Sequence, residues 1–114
     1  MRRYNQTTTM QLKNIFIHHV YFWLKETGNT ERRAQLIEGL VKLSSVTTIN
    51  QFHIGLPADT NRGVIETGYA VSWFVLFANG EDQASYQVDP IHLKFVEECS
   101  HLWSKVIVYD SIDA

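Results

Sequence analysis

Two segments of this sequence are apolar on both sides of a predicted β-strand. Residues 15–24 and residues 69–78 are rich in aromatic and β-branched side chains, which is typical of strands. Successive side chains of a strand point to opposite faces of its sheet. The two sets of the first segment are Phe16, His18, Val20, Phe22 and Leu24 on one face and Ile15, Ile17, His19, Tyr21 and Trp23 on the other. A sheet built from such strands therefore has no face suited to water.

A helix is predicted after the first strand. The polar residues 27–30 interrupt the strand pattern, and either Asn29 or Thr30 can cap a helix through its side-chain oxygen. Apolar side chains then recur at helical spacing from Leu36 to Val41.

The rest of the chain predicts two more strands, a long loop and a second helical region. Strands are expected over residues 47–56 and 105–112, and the loop over residues 59–68. A short helix is expected to reach Val88, and a further helix to begin near Pro90, since proline fits the first helical turn. The apolar face of this last helix is predicted to carry His92, Phe95, Val96, Cys99 and Trp103.

The resulting order, β-α-β-β-α-β, suits a four-stranded antiparallel sheet with both helices on one side, the ferredoxin-like arrangement of α+β proteins. A bare sheet face in water is normally polar at every second residue, and this one is apolar. Burying one large side chain contributes about 1.5–3 kcal/mol, so a wet face forfeits several such contributions. We therefore predict a homodimer that packs through this sheet face. The alternative is a helix formed by the N-terminal tail that covers the face.

Composition narrows the class of protein. The 114 residues fit one domain, taken as residues 12–114 after a polar tail of residues 1–11. The net charge of −2 disfavours nucleic acid or an anionic membrane as partner, and the longest apolar run is too short to span a bilayer. Because Cys99 is the single cysteine, no internal disulfide forms, and a cytoplasmic location is expected.

Six short segments carry a more specific signal. The clearest is residues 86–95, with the sequence Tyr-Gln-Val-Asp-Pro-Ile-His-Leu-Lys-Phe, in which a Pro-x-His-x-x-Phe pattern follows a short helix. The others are residues 18–25, 52–55, 62–66, 68–69 and 106–110. Taken in the order in which they occur along the chain, these segments resemble the stress-responsive α/β-barrel (Dabb) family. The resemblance implies a dimeric ferredoxin-like fold whose two sheets form an α+β barrel.

The resemblance also implies candidate site residues. One plant branch of the family is a polyketide cyclase, in which a tyrosine and a histidine at positions matching Tyr86 and His92 serve as the acid/base pair. These two residues are therefore the candidate catalytic pair. The implied ligand pocket between sheet and helices is lined by His18, Val71, Trp73, Tyr86 and His92.

The residues themselves leave the role of this pair open. Neighbouring strand residues alternate, so one of His18 and His19 faces the helices, and the family register suggests His18. An imidazole can move a proton near neutral pH, and a phenol can donate to a developing oxyanion. Alternatively, His92 bonds a backbone carbonyl near Pro90, and Tyr86 is a core-edge tyrosine with a satisfied hydroxyl.

No metal site or other cofactor is predicted, since no His-x-x-x-His or clustered Cys/His spacing occurs. Three functions remain in competition. The chain is expected to bind a small apolar molecule without a specified reaction. The alternatives are a cofactor-free cyclase-like lyase or isomerase that uses Tyr86 and His92, and a structural stress-protective assembly without a ligand.

Overall fold

A computed structural model describes residues 8–114 of the chain. Residues 8–15 form no helix or strand, so this part of the tail supplies no helix to cover the sheet. The remainder of the predicted tail, residues 1–7, lies outside the described residues.

The described chain follows the predicted order of strands and helices, with the second helical region divided into two helices. The elements are β1 (Phe16–Leu24), α1 (Thr30–Leu43), β2 (Ile49–Gly55), β3 (Val71–Phe77), α2 (Gly80–Val88), α3 (Pro90–Cys99) and β4 (Trp103–Ile112). A short 3₁₀ turn, Ser100–Leu102, joins α3 to β4.

The four strands form one antiparallel sheet in the order β2-β3-β1-β4. The two strands whose patterns are apolar on both faces, β1 and β3, are the central ones. His18 of β1 is paired with Val75 of β3 on one side and with Asp110 of β4 on the other. Directly paired residues share a face, so this register places residues of different strands side by side.

The helices cover one face of the sheet and form the core with it. From β3, Val71, Trp73, Val75 and Phe77 are almost completely buried, and they pack with the fully buried leucines of α1. Each such side chain contributes about 1.5–3 kcal/mol when it leaves water, which accounts for the fixed position of the helices on this face.

Polar caps set the boundaries of the helices. The Asn29 side chain accepts a hydrogen bond from the Arg32 backbone N–H at 3.0 Å, so Asn29 is the N-cap of α1. Asp89 has an extended backbone, ends α2 and caps α3, accepting from the Ile91 N–H at 2.8 Å. Pro90 occupies the first turn of α3, as predicted.

The prediction that Trp103 belongs to the last helix is wrong. Helix α3 ends at Cys99, and Trp103 begins β4, two residues before the predicted start of that strand. Its ring packs against Phe22 and Phe95, with centroids 4.9 and 5.7 Å apart. Trp103 follows Cys99 at a helical spacing of four, so periodicity does not reveal the intervening turn. Val96, which was also predicted on the apolar face of this helix, is 38% exposed and does not lie in the core.

Within residues 8–114, no helix is long and apolar enough to cross a membrane.

Candidate functional site

His18 lies under the helices, as the family register implied, and it is bonded to an acid. Its Nδ1 lies 2.7 Å from Oδ1 of Asp110, its partner in the β1–β4 register. A carboxylate only accepts hydrogen bonds, so Nδ1 carries the proton and donates it. The His18 ring is buried while Asp110 is partly exposed, so the pair joins the core to the surface at β4.

Tyr86 of α2 is buried against the same part of the sheet. Its hydroxyl oxygen accepts a hydrogen bond from the indole Nε1–H of Trp73 at 3.1 Å. Burial raises the pKa of Tyr86 to about 12, although the Trp73 hydrogen bond acts to lower it. The phenol is therefore protonated at neutral pH, and its own proton is not used in the bond with Trp73.

His92, near the start of α3, is held by the backbone of α2. Its Nδ1 lies 3.1 Å from the carbonyl oxygen of Gln87, which is the backbone contact that the sequence offered as an alternative. A carbonyl oxygen only accepts, so Nδ1 is protonated and Nε2 of the neutral ring keeps its lone pair. Burial lowers the pKa of His92, so the ring is neutral at pH 7.

These three side chains converge as the sequence predicted. The ring centroid of Tyr86 lies 4.7 Å from that of His92 and 5.6 Å from that of His18. We refer to them as the His18–Tyr86–His92 cluster. It combines two imidazoles whose Nδ1 atoms are engaged with one protonated phenol.

Val71 and Trp73, the other two residues of the implied pocket, are packed in the core. Both are at most 1% exposed, and the indole N–H of Trp73 is already bonded to Tyr86. Five cavities of 210–380 Å³ on the described residues are lined by other side chains than those of the cluster. Ligand contact at Val71 and Trp73 therefore stays a prediction, and it requires packed side chains to move.

The helices leave part of their own side of the sheet uncovered. Val106 and Val108 of β4 are paired with the buried Phe22 and Val20, so they share the helix-facing side, yet they are 36% and 46% exposed. Together with Asp110 they form what we call the β4 strip. It is an apolar surface that ends at the His18–Asp110 bond.

The opposite side of the sheet, the bare face, is lined by half-buried apolar and aromatic side chains. From the three adjacent strands β3, β1 and β4 these include Phe74, Ile17, Tyr21, Trp23 and Ile107. At one end of this face a cavity of about 380 Å³ is lined by Tyr21, Trp23, Glu66, Tyr69, Lys105, Ile107 and Tyr109.

Neither a metal centre nor a reactive thiol stands out in the described chain. In residues 8–114, no group of three or more His, Cys, Asp or Glu side chains is arranged to hold a metal ion. Burial raises the pKa of the Cys99 thiol, which keeps it protonated and a poor nucleophile.

Comparison with known proteins identifies the family. The family model of the stress-responsive A/B barrel domain, Dabb, matches residues 16–113, nearly the whole described chain. The chain belongs to the Dabb family. A search of curated protein sequences found no match.

Solved structures share the fold of this Dabb chain at low sequence identity. A Dabb-family protein with a ferredoxin-like fold from Mesorhizobium loti is 19% identical, with a TM-score of 0.72, covering 88% of this chain and 97% of that one. Hydroxynitrile lyase from Passiflora edulis is 19% identical, with a TM-score of 0.73 and coverages of 90% and 96%. A dimeric ferredoxin-like protein of unknown function from Bacteroides fragilis is 17% identical, with a TM-score of 0.68 and coverages of 90% and 100%.

Sequence reasoning missed two features of the site. Asp110 holds His18, and the β4 strip that ends at this bond is partly exposed, whereas the backbone carbonyl that holds His92 was one of the alternatives left open. The alternation of Val106, Val108 and Asp110 along one side of a predicted strand was an available signal for the strip, since it puts them on one face. Asp110 as the partner of His18 depends on the register between two strands, which no local pattern specifies.

Proposed function

We propose that this Dabb chain forms a homodimer through the bare face and binds a small, largely apolar molecule between the helices and the sheet, at the His18–Tyr86–His92 cluster. The observation that carries the binding proposal is the hydrogen bonding of the cluster. Both Nδ1 atoms are engaged, which leaves the two imidazole Nε2 atoms and the phenol O–H for a ligand. The single buried thiol suits a reducing compartment such as the cytoplasm.

The dimer is supported by the chemistry of the bare face. Phe74, at its centre, is paired with His19 and has Ile17 and Tyr21 as diagonal neighbours, and a surface of this kind is stabilised when a second copy covers it. A twofold dimer needs no further partner, because each copy presents the same surface to the other. The dimeric fold relative from Bacteroides fragilis also favours this assembly.

The dimer is tested by placing a charge on the bare face. Phe74→Glu would bury a carboxylate without a partner at the interface, so we expect the dimer dissociation constant to rise by at least about a hundredfold. Val41→Glu is the matched control, since Val41 is an exposed valine on α1. Sedimentation equilibrium measures both, with circular dichroism to confirm folding. A folded F74E variant that remains as dimeric as V41E contradicts the proposed interface.

The ligand is expected to follow the β4 strip. Val106 and Val108 offer apolar contact, and the strip ends at the His18–Asp110 bond of the cluster. A molecule with an apolar body and one hydroxyl or carbonyl group fits this arrangement. Most pockets for small molecules combine apolar walls with a few polar groups in the same way.

Binding is tested with 4-butylphenol, whose hydroxyl can donate to an imidazole and whose alkyl chain suits the valines. We expect it to shift the imidazole ¹H–¹⁵N resonances of His18 and His92 and to bind at least tenfold more weakly, by about 1.4 kcal/mol, to Val108→Glu than to V41E. Shifts confined to His53 or His101 would place the probe elsewhere and contradict the site. No binding at millimolar probe favours the structural assembly without a ligand.

Proton transfer is the second candidate function, and the Tyr86–His92 pair favours it. At neutral pH the His92 ring is an uncharged base with a free Nε2, and Tyr86 is a phenol with a proton to donate. A base and a donor whose rings are 4.7 Å apart suit abstraction of a proton next to a carbonyl group. The hydroxynitrile lyase among the fold relatives is an enzyme on the same scaffold, which makes a lyase or isomerase reaction reasonable here.

Deuterium exchange into a 1,3-diketone such as acetylacetone tests this candidate. If the pair is catalytic, the wild-type chain accelerates exchange above the buffer rate, and His92→Gln or Tyr86→Phe reduces the acceleration by about a hundredfold or more. His101→Gln is the control, because His101 lies on the surface. Equal exchange with H92Q and wild type would exclude His92 as the base.

A further inference from the structure

A row of four side chains crosses the middle of the bare face. His53 of β2, Phe74 of β3, His19 of β1 and Tyr109 of β4 are successive partners in the strand registers. The row therefore places His19 on a central strand, and His53 on the edge strand β2, of the surface that we assign to the dimer interface.

His19 is held in this row by aromatic neighbours. Its Nδ1 lies 3.2 Å from the Tyr21 hydroxyl, and its ring lies edge-on to Phe74 with centroids 5.0 Å apart. Neither ion pair found among residues 8–114 includes His19. A protonated His19 would thus lack a carboxylate partner within its own subunit.

The other titratable groups around His19 do not compensate a positive charge at the row. β2 contributes His53, β4 contributes Tyr109, and Tyr21 lies on the same strand. Of the charged groups on this side of the sheet, Lys105 and Glu66 line the cavity at one end. His18 lies on the opposite face and is bonded to Asp110.

Burial already opposes protonation in the single chain. It lowers the pKa of His19, and the nearby His53 and His18 lower it further. A second copy on the bare face would remove more water from the ring and bring another pair of imidazoles toward it. Proton uptake then favours separated chains over the dimer.

We propose that the dimer is a pH-sensitive assembly, in which protonation of His19 in the central row separates the two copies as the pH falls from 8 to 5. This inference rests on the proposed dimer. Histidine is the side chain whose charge changes in this range, and two copies double the number of imidazoles that must stay neutral. The sign follows from linkage, because the state that binds more protons gains population as the pH falls.

The dimer dissociation constant of the full chain at pH 8 and at pH 5, by sedimentation equilibrium, tests the inference. We expect an increase of about tenfold or more for wild type and for the surface control His101→Gln. The double variant H19Q/H53Q keeps polar side chains without a titrating ring and should lose most of this pH dependence. A dissociation constant that is unchanged in wild type, or that changes equally in the double variant, overturns the inference.

A second measurement does not depend on the variants. The imidazole of His19 in wild type, followed by NMR, should titrate at a lower pH in concentrated, dimeric samples than in dilute ones. Equal titration at both concentrations of a chain that does dimerise also overturns the inference. A wild-type chain that is monomeric at pH 8 instead refutes the proposed dimer itself.

Discussion

The hydrogen-bond partner of each residue in the His18–Tyr86–His92 cluster determines its chemistry. Strand alternation allowed the sequence to place one histidine of residues 18–19 under the helices, and helical spacing placed His92 on the inner face. The bond to Asp110 could not be predicted in the same way, whereas the bond of His92 to a backbone carbonyl near Pro90 was one of two alternatives. The first joins residues 92 positions apart and depends on the β1–β4 register, which hydrophobic pattern alone does not fix.

The bond between Tyr86 and Trp73 predicts the stability of a variant. Tyr86→Phe keeps the ring but leaves the buried indole N–H of Trp73 without an acceptor, which costs about 1–3 kcal/mol of unfolding free energy. Urea denaturation measures the loss. Val88→Ala is the control, since Val88 is mostly exposed at the end of α2, and it should change stability by less than about 0.5 kcal/mol. Equal effects of the two substitutions would contradict the role of this bond.

His92 predicts a pH dependence of stability. Burial lowers the pKa of His92 in the folded chain, so the unfolded chain binds a proton more readily. Its contribution is complete above the ordinary histidine value of about 6.5 and is lost as the pH falls toward the lowered pKa. The unfolding free energy of wild type, relative to H92Q, should therefore decrease from pH 8 to pH 5. An unfolding free energy of wild type that increases relative to that of H92Q from pH 8 to pH 5 contradicts the assignment.

At the scale of elements, α1 and α3 meet at a glycine. A Cβ atom built on Gly39 would lie 2.5 Å from the Cys99 Sγ and 3.3 Å from an atom of the Phe95 ring. The glycine therefore allows a helix approach that an alanine would obstruct. No sequence pattern indicates this contact, since a glycine within a helical pattern does not reveal which partner it faces.

Gly39→Ala tests the close approach of the two helices. Alanine favours the helix by about 1 kcal/mol, but overpacking against Cys99 and Phe95 costs about 1–3 kcal/mol, so we expect a net loss of stability. The double variant G39A/C99A removes the thiol and should lose less than the sum of the two single variants. Thermal or urea unfolding measures the cycle. Strict additivity would mean that the two side chains do not interact.

Element boundaries were predictable where a side chain with a specific local role marks them. Asn29, one of the two candidate caps, precedes α1, and Pro90 begins α3 as predicted. The end of α3 was missed, because the apolar spacing runs past the 3₁₀ turn into β4. Hydrophobic periodicity does not reveal an element boundary that depends on the tertiary packing of a ring, as at Trp103.

At the scale of the whole molecule, the apolar content of both faces of β1 and β3 dictates the architecture. The structure confirms these strands as the two central ones, with one face covered by helices. The sequence predicted this because a helix layer can bury one side of a sheet only. What covers the other side of the sheet depends on assembly, and no local sequence pattern specifies how two copies would pack together.

Sedimentation equilibrium of the unmodified chain at micromolar concentration and pH 8 tests most directly whether a second copy covers the bare face. We predict a single species near twice the 13.2 kDa of one chain. A folded species that stays at 13.2 kDa over this concentration range, with the aromatic side of its sheet in water, would contradict the account.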